Sequence, residues 1–174
     1  MFFSKKKKEY ARVIDWSPAW DTGAPLPQVF SNGQKTYLTY LINESETNLD
    51  GTNLTMIDIT SDTQYPLALV EFNGHTFRFG IANDEVLSGL PLYKKGLQAY
   101  DAHIIENSSW IEELKGIHRV HPYFNEKEWI DLKHFVLLFH DEIFEIIATA
   151  YQILTYKTTF ETLAVEIAKR MNKK

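Results

Sequence analysis

The stretch KHFVLLFHDEIFEIIATAYQILTY, Lys133–Tyr156, decides the fold. Its dense apolar content satisfies a helical period and a pair of consecutive strands about equally well, and its length alone favours a helix. The run is nevertheless split at His140-Asp141-Glu142 into Phe135–Phe139 and Ile143–Ala150. Each half carries aromatic or β-branched side chains, which suit a pleated, half-buried surface. We read the segment as a hairpin, although its turn lacks a glycine. On that hairpin His140 and Glu145 share a face as diagonal neighbours, whereas a helix would set Asp141 beside Glu145 instead.

Working outward toward the N-terminus, Leu67–Phe72, Asn73-Gly74 and His75–Phe79 read as a second hairpin, because Asn-Gly suits the positive φ of a two-residue turn. It would place Phe72 opposite His75, Val70 opposite Phe77 and Ala68 opposite Phe79, with Glu71 and Arg78 as diagonal neighbours on the polar face. A further Asn-Gly at Asn32-Gly33 joins Val29–Ser31 to the alternating run Gln34–Ile42, and Thr52–Thr60 also has strand character. Between Trp16 and Pro27, three prolines and a glycine interrupt any ladder, so that segment is expected to be an irregular arm anchored by Trp16 and Trp20.

Helices are expected where capping chemistry meets an apolar stripe. Asn83 precedes Asp84 and Glu85 at the start of a short helix ending by Gly89. Ser109 and Glu112 form a capping box before Trp110, Ile111, Leu114 and Ile117. Thr158 and Glu161 form another before Phe160, Leu163, Ile167 and Met171, with Lys169 and Arg170 at the negative end. Ala102–Glu106 reads as extended. The elements do not alternate regularly, so the expected class is α+β, a mostly antiparallel, twisted sheet built from hairpins with helices packed on one face. Residues 1–10 read as a flexible basic tail, and 11–174 as a single α+β domain.

Composition narrows the function classes. There is no cysteine, which removes disulfides, thiolate metal sites and cysteine nucleophiles and agrees with a reducing compartment. The net charge is −5, and the body is more acidic still once Lys5–Lys8 are set aside, which disfavours nucleic acid as a partner. No apolar run approaches the length of a membrane span, and no secretory signal follows the lysines. Phosphate-binding glycine loops, nucleophile elbows and H-E-x-x-H are all missing.

What remains are scattered histidines and carboxylates. His140 with Glu145 is the candidate acid–base pair, since a carboxylate can orient an imidazole for proton transfer. Asp141 sits at the turn. Asn83 and Asp84 could contact a ligand or cation, yet a helix start explains them, and capping explains Glu106 and Asn107 equally well. His118 and His121 are spaced for one helical face, but a third ligand must come from elsewhere, and partly exposed histidines near a helix C-terminus explain the pair, so no metal and no cofactor is expected.

Together W-x-P-A-W (Trp16–Trp20), N-D-E-V-L (Asn83–Leu87) with P-L-Y (Pro91–Tyr93), E-N-S-x-W (Glu106–Trp110), L-K-H-F (Leu132–Phe135) and F-H-D-E-x-F-E (Phe139–Glu145) resemble a family of small uncharacterised bacterial proteins. The resemblance runs over nearly the whole chain. It implies a bacterial, cytoplasmic setting and no mechanism, and it singles out His134, His140, Asp141 and Glu145 with Asn83, Glu106 and Asn107. The expected function is a non-enzymatic binding or interaction module, adaptor-like or immunity-like, whose acidic, aromatic-rimmed surface holds a protein partner or small ligand. The alternative is a hydrolase or lyase using His140 as general base, oriented by Glu145, with Glu106 or Asp84 nearby, or a metal-assisted variant of it. The sequence leaves the oligomeric state open.

Overall fold

In the computed structural model the described residues are 7–43, 57–74 and 76–172. In chain order the strands are β1 (Tyr10–Val13), β2 (Gln28–Ser31), β3 (Thr36–Leu41), β4 (Tyr65–Phe72), β5 (Thr76–Ile81), β6 (Ala102–Glu106), β7 (Lys133–Leu138), β8 (Glu142–Ala148) and β9 (Tyr151–Thr158). Two α-helices, α1 (Ser109–His118) and α2 (Phe160–Met171), join them, with 3-10 turns at Asp84–Gly89, Tyr93–Lys95 and Glu126–Trp129. The fold is α+β, and its strands form two antiparallel sheets, β1-β6-β7-β8-β5 and β2-β3-β4-β9.

Lys133–Tyr156 is strand and not helix, broken at 139–141 and again at 149–150. β7 and β8 form the expected hairpin across the first break, and the second break, which the sequence reading did not place, starts a third strand. The continuation β9 pairs with β4 in the other sheet. The Asn73-Gly74 hairpin is not formed. Val70 faces Leu38 and Ile153 on either side, Phe77 faces Ile146, and Phe79 faces Phe144. The reason is burial: β4 is a central strand, with Leu67, Ala68, Leu69 and Val70 all inaccessible to solvent. Both its edges are therefore filled by other strands, and Asn73-Gly74 serves as a crossing between sheets. The expected Glu71–Arg78 neighbourhood goes with it. Glu71 forms an ion pair with Lys35, and Arg78 lies opposite Glu145.

The chain divides into two compact units, Met1–Asp15 with Thr76–Ala150, and Trp16–His75 with Tyr151–Lys174. In the second unit α2 lays Phe160, Leu163 and Ile167 against Tyr37, Leu67 and Leu69. The Trp16–Pro27 arm is anchored as its tryptophans suggest, because Trp16 Nε1–H donates to the Tyr40 hydroxyl at 2.9 Å, which in turn donates to the Pro18 carbonyl at 2.8 Å. The Asn32-Gly33 hairpin is present, with Ser31 opposite Thr36. The strand expected at Thr52–Thr60 lies largely outside the described residues, and its described end forms a turn.

In the first unit one face of the sheet carries Ala11, Ile105, Val136 and Leu138 against Leu97, Leu87, Leu90 and Leu92 from the 3-10 segment. That segment meets β1 at Gly96, whose φ of +102° only glycine adopts readily and whose added Cβ would stand 2.8 Å from the Ala11 carbonyl oxygen. Both helix caps sit one residue from their expected places. Ser108, not Ser109, accepts the Ile111 N–H, and Thr159, not Thr158, accepts the Thr162 N–H. Asn83 precedes its 3-10 turn without a side-chain cap bond.

The N-terminal lead is engaged before β1 begins. The Lys8 carbonyl accepts from Asn107 Nδ2 at 3.0 Å, and Glu9 bonds to Lys95 and Ser109. Among the described residues, no helix is long and apolar enough to cross a membrane.

Candidate binding cavity in the first unit

The β7–β8 ladder fixes which polar side chains meet. Its turn is His140-Asp141, closed by a hydrogen bond of 2.9 Å from Phe139 N–H to the Glu142 carbonyl. Val136 then lies opposite Glu145, and His134 opposite Ile147. His134 and Glu145 are thus the diagonal neighbours, on the face expected for the pair but two positions further down the ladder than the sequence suggested. Glu145 belongs to His134. His140 stands in the turn, with its Nδ1 3.0 Å from Asp141 Oδ1.

His134 is the middle of a three-residue line. Its Nε2 is 2.9 Å from Glu145 Oε2, and its Nδ1 is 2.9 Å from Ser108 Oγ. The carboxylate accepts only, so it fixes a proton on Nε2. Ser108 Oγ also accepts the Ile111 N–H at 3.2 Å as the cap of α1. Ser108 is 4% exposed and His134 3%, and the Trp110 ring meets the imidazole edge-on, with centroids 5.1 Å apart. Both imidazole nitrogens are therefore engaged by the protein. A serine, an imidazole and a carboxylate in line are also the parts of a hydrolytic triad, but here the Ser108 Oγ caps α1, and to act as a nucleophile Ser108 would have to release that cap.

Above this line is a cavity of about 270 Å³, with an apolar floor and wall from Leu90, Leu92, Leu97, Val136 and Ile143. Arg78, Trp110, Glu145, Glu9 and Lys95 supply its polar and aromatic lining. The Arg78 guanidinium carbon lies 4.0 Å over the Trp110 ring, where it gains cation–π attraction. Across the rim Glu9 takes Lys95 Nζ at 2.7 Å and the Ser109 N–H at 2.5 Å. Burial works to raise the Glu9 carboxyl, but these hydrogen bonds and the Lys95 charge hold it below the ordinary carboxylate range.

The other candidate residues fall into two further groups. Asp84 joins His140 and Asp141, since Asp84 N–H donates to the His140 carbonyl at 3.1 Å and the Asp84 carboxylate accepts the Tyr100 hydroxyl. Asp84 is held below its usual range, mainly by that hydroxyl, and His140 above its own, mainly by its hydrogen bond to Asp141. Asn83 stands next to this group without a side-chain cap bond.

Glu106 and Asn107 hold the N-terminal lead instead. Glu106 pairs with Arg12 at 2.9 Å, and Asn107, at a φ of +55°, bonds the Lys8 carbonyl. His103, fully buried, accepts the Gln98 N–H at 3.1 Å on Nε2, and burial pushes its pKa down. His118 meets the Trp129 ring edge-on, with centroids 5.1 Å apart. Among the described residues no three metal-ligating side chains gather closely enough to hold an ion.

Sequence reading missed Ser108, Arg78, Glu9 and Lys95. Arg78 carried a signal, being a charged residue between Phe77 and Phe79 in a strand, but its partner depended on a pairing the local pattern assigned elsewhere. Comparison with family models, with curated proteins and with solved structures finds no match to this chain.

Proposed function

We propose that this protein is a non-enzymatic binding module whose first unit takes a small, partly apolar ligand in the cavity between Trp110 and the 3-10 segment. The observation that carries this reading is the make-up of the cavity, with the serine bonded to His134 held outside it. Ser108, the serine of the Ser108–His134–Glu145 line, caps α1 and is not among the residues lining the cavity, while the cavity combines an apolar floor with a small number of charged groups. That is the composition of sites that hold ligands. Trp110 supplies the aromatic wall, and the acidic composition supports a partner other than nucleic acid. The resemblance noted above and the cysteine-free chain favour a bacterial cytoplasmic setting.

A fragment screen followed through the methyl signals of Leu90, Leu92, Leu97 and Ile143 and the Trp110 indole N–H tests the reading. Small apolar fragments carrying one or two polar groups are expected to shift these signals together, and their covalent structure is expected to persist after prolonged incubation. Shifts confined to other parts of the protein, or turnover of a bound fragment, would contradict it.

A further inference from the structure

Resting on the cavity reading above, we infer that the ligand is a zwitterion of the α-amino acid class with a small apolar side chain, held by Arg78 at its carboxylate and Glu145 at its ammonium. Arg78 and Glu145 stand directly opposite each other on β5 and β8, and both line the cavity. Facing residues of opposite charge on adjacent strands ordinarily pair. These two do not. The Arg78 guanidinium carbon lies 4.0 Å over the Trp110 ring, and Glu145 Oε2 accepts from His134 Nε2. Among the described residues, neither the guanidinium donors nor Glu145 Oε1 has a hydrogen-bond partner.

Side chains directly opposite in a ladder have Cβ atoms about 4.5–5.5 Å apart. The two charged heads can therefore flank a group whose own opposite charges sit on neighbouring atoms of one carbon. An α-amino acid presents them in this way. The planar guanidinium can take both carboxylate oxygens at once, and the Glu145 carboxylate, oriented by His134, accepts from the ammonium.

The remaining charges agree with this class. Glu9 and Lys95 satisfy each other, so among the described residues the cavity offers one cation without an ion-pair partner, Arg78, and one carboxylate, Glu145, with an oxygen beyond the one His134 takes. A simple acid would meet the repulsion of Glu145, and a simple amine that of Arg78. The volume, about 270 Å³, falls just under the roughly 300–1,000 Å³ usual for drug-sized ligands. It suits one amino acid with its side chain against Leu90, Leu97 and Ile143.

Calorimetric titration of the full chain with L-leucine, L-phenylalanine, N-acetyl-L-leucine and L-leucinamide tests the assignment. The free amino acids are expected to bind, with each capped compound at least about tenfold weaker, because a charge-assisted contact is lost at one end. Arg78→Gln, at an exposed position, is expected to weaken L-leucine about tenfold without weakening L-leucinamide, since the amide makes no carboxylate contact and its ammonium is relieved of the Arg78 charge. Glu145→Gln should do the converse for N-acetyl-L-leucine, but Arg78→Gln suffices if that variant folds poorly.

Capped compounds that bind as tightly as free ones, or an Arg78→Gln variant that weakens both ligands alike, would overturn the zwitterion assignment. If no amino acid binds while apolar fragments still shift the cavity methyls, this inference falls and the cavity reading stands. If neither binds, both fall.

Discussion

Ser108→Ala is expected to lower the unfolding free energy by about 2–4 kcal/mol, the sum of a lost helix cap and a buried imidazole nitrogen left without its partner. The two losses arise at one atom. Ser108 Oγ accepts the Ile111 N–H at 3.2 Å and stands 2.9 Å from His134 Nδ1, with both residues almost wholly buried. Water cannot easily replace it there, so the desolvation cost of the orphaned groups is felt in full. Urea denaturation measures the effect as a fall in midpoint at unchanged slope. Ser109→Ala is the control. Ser109 is exposed and holds Glu9 through its backbone N–H, which the change keeps, and its hydroxyl, which it loses, so the effect is expected to stay within about 1 kcal/mol. Equal effects at the two serines would show that Ser108 does not hold both the helix and the imidazole.

Gly96→Ala is expected to cost about 2–4 kcal/mol, combining the strain of left-handed backbone for an L residue with overpacking against a neighbour that cannot swing aside. The neighbour is backbone, the Ala11 carbonyl oxygen at 2.8 Å from the added Cβ, so relief requires β1 or the 3-10 segment to shift. Lys95 immediately precedes Gly96 and Glu9 lies just before β1, so that shift should also open the Glu9–Lys95 pair at the cavity rim. Thermal and urea unfolding report the first consequence. A change in the environment of the Glu9 carboxyl by carbon-detected NMR reports the second. No loss of stability would mean that the 3-10 segment and β1 are not as closely packed as their backbone positions require.

The readable part of the fold was what local chemistry decides. The β-branched and aromatic halves of Lys133–Tyr156 specified strands despite their length, because the polar break at His140-Asp141-Glu142 offered a turn. The C-terminal helix followed from its apolar stripe, Phe160, Leu163 and Ile167, which is the stripe it buries. Strand partnership was not readable. Asn73-Gly74 has the composition of a hairpin turn, but composition cannot say that β4 is central and already paired on both edges.

The same limit governed the site. The parity of the β7–β8 pairing was legible, since side chains alternate in strands, and so Glu145 was placed on the correct face. Its partner was not, because a two-position slide preserves every face while exchanging His140 for His134. The one-residue error at Ser108 has a related cause. Two adjacent serines compete for the cap, and only the buried imidazole beside one of them distinguishes the pair.

The pairing of Glu145 with His134 underlies everything inferred about the cavity, and a pair of double-mutant cycles on stability measures it directly. One cycle combines His134→Gln with Glu145→Gln, the other His140→Gln with Glu145→Gln. A coupling of about 1.5–3 kcal/mol is expected in the first, as for a buried hydrogen bond to a charged group, and none beyond error in the second. Coupling in the second cycle and its absence in the first would contradict the strand register on which the site is built.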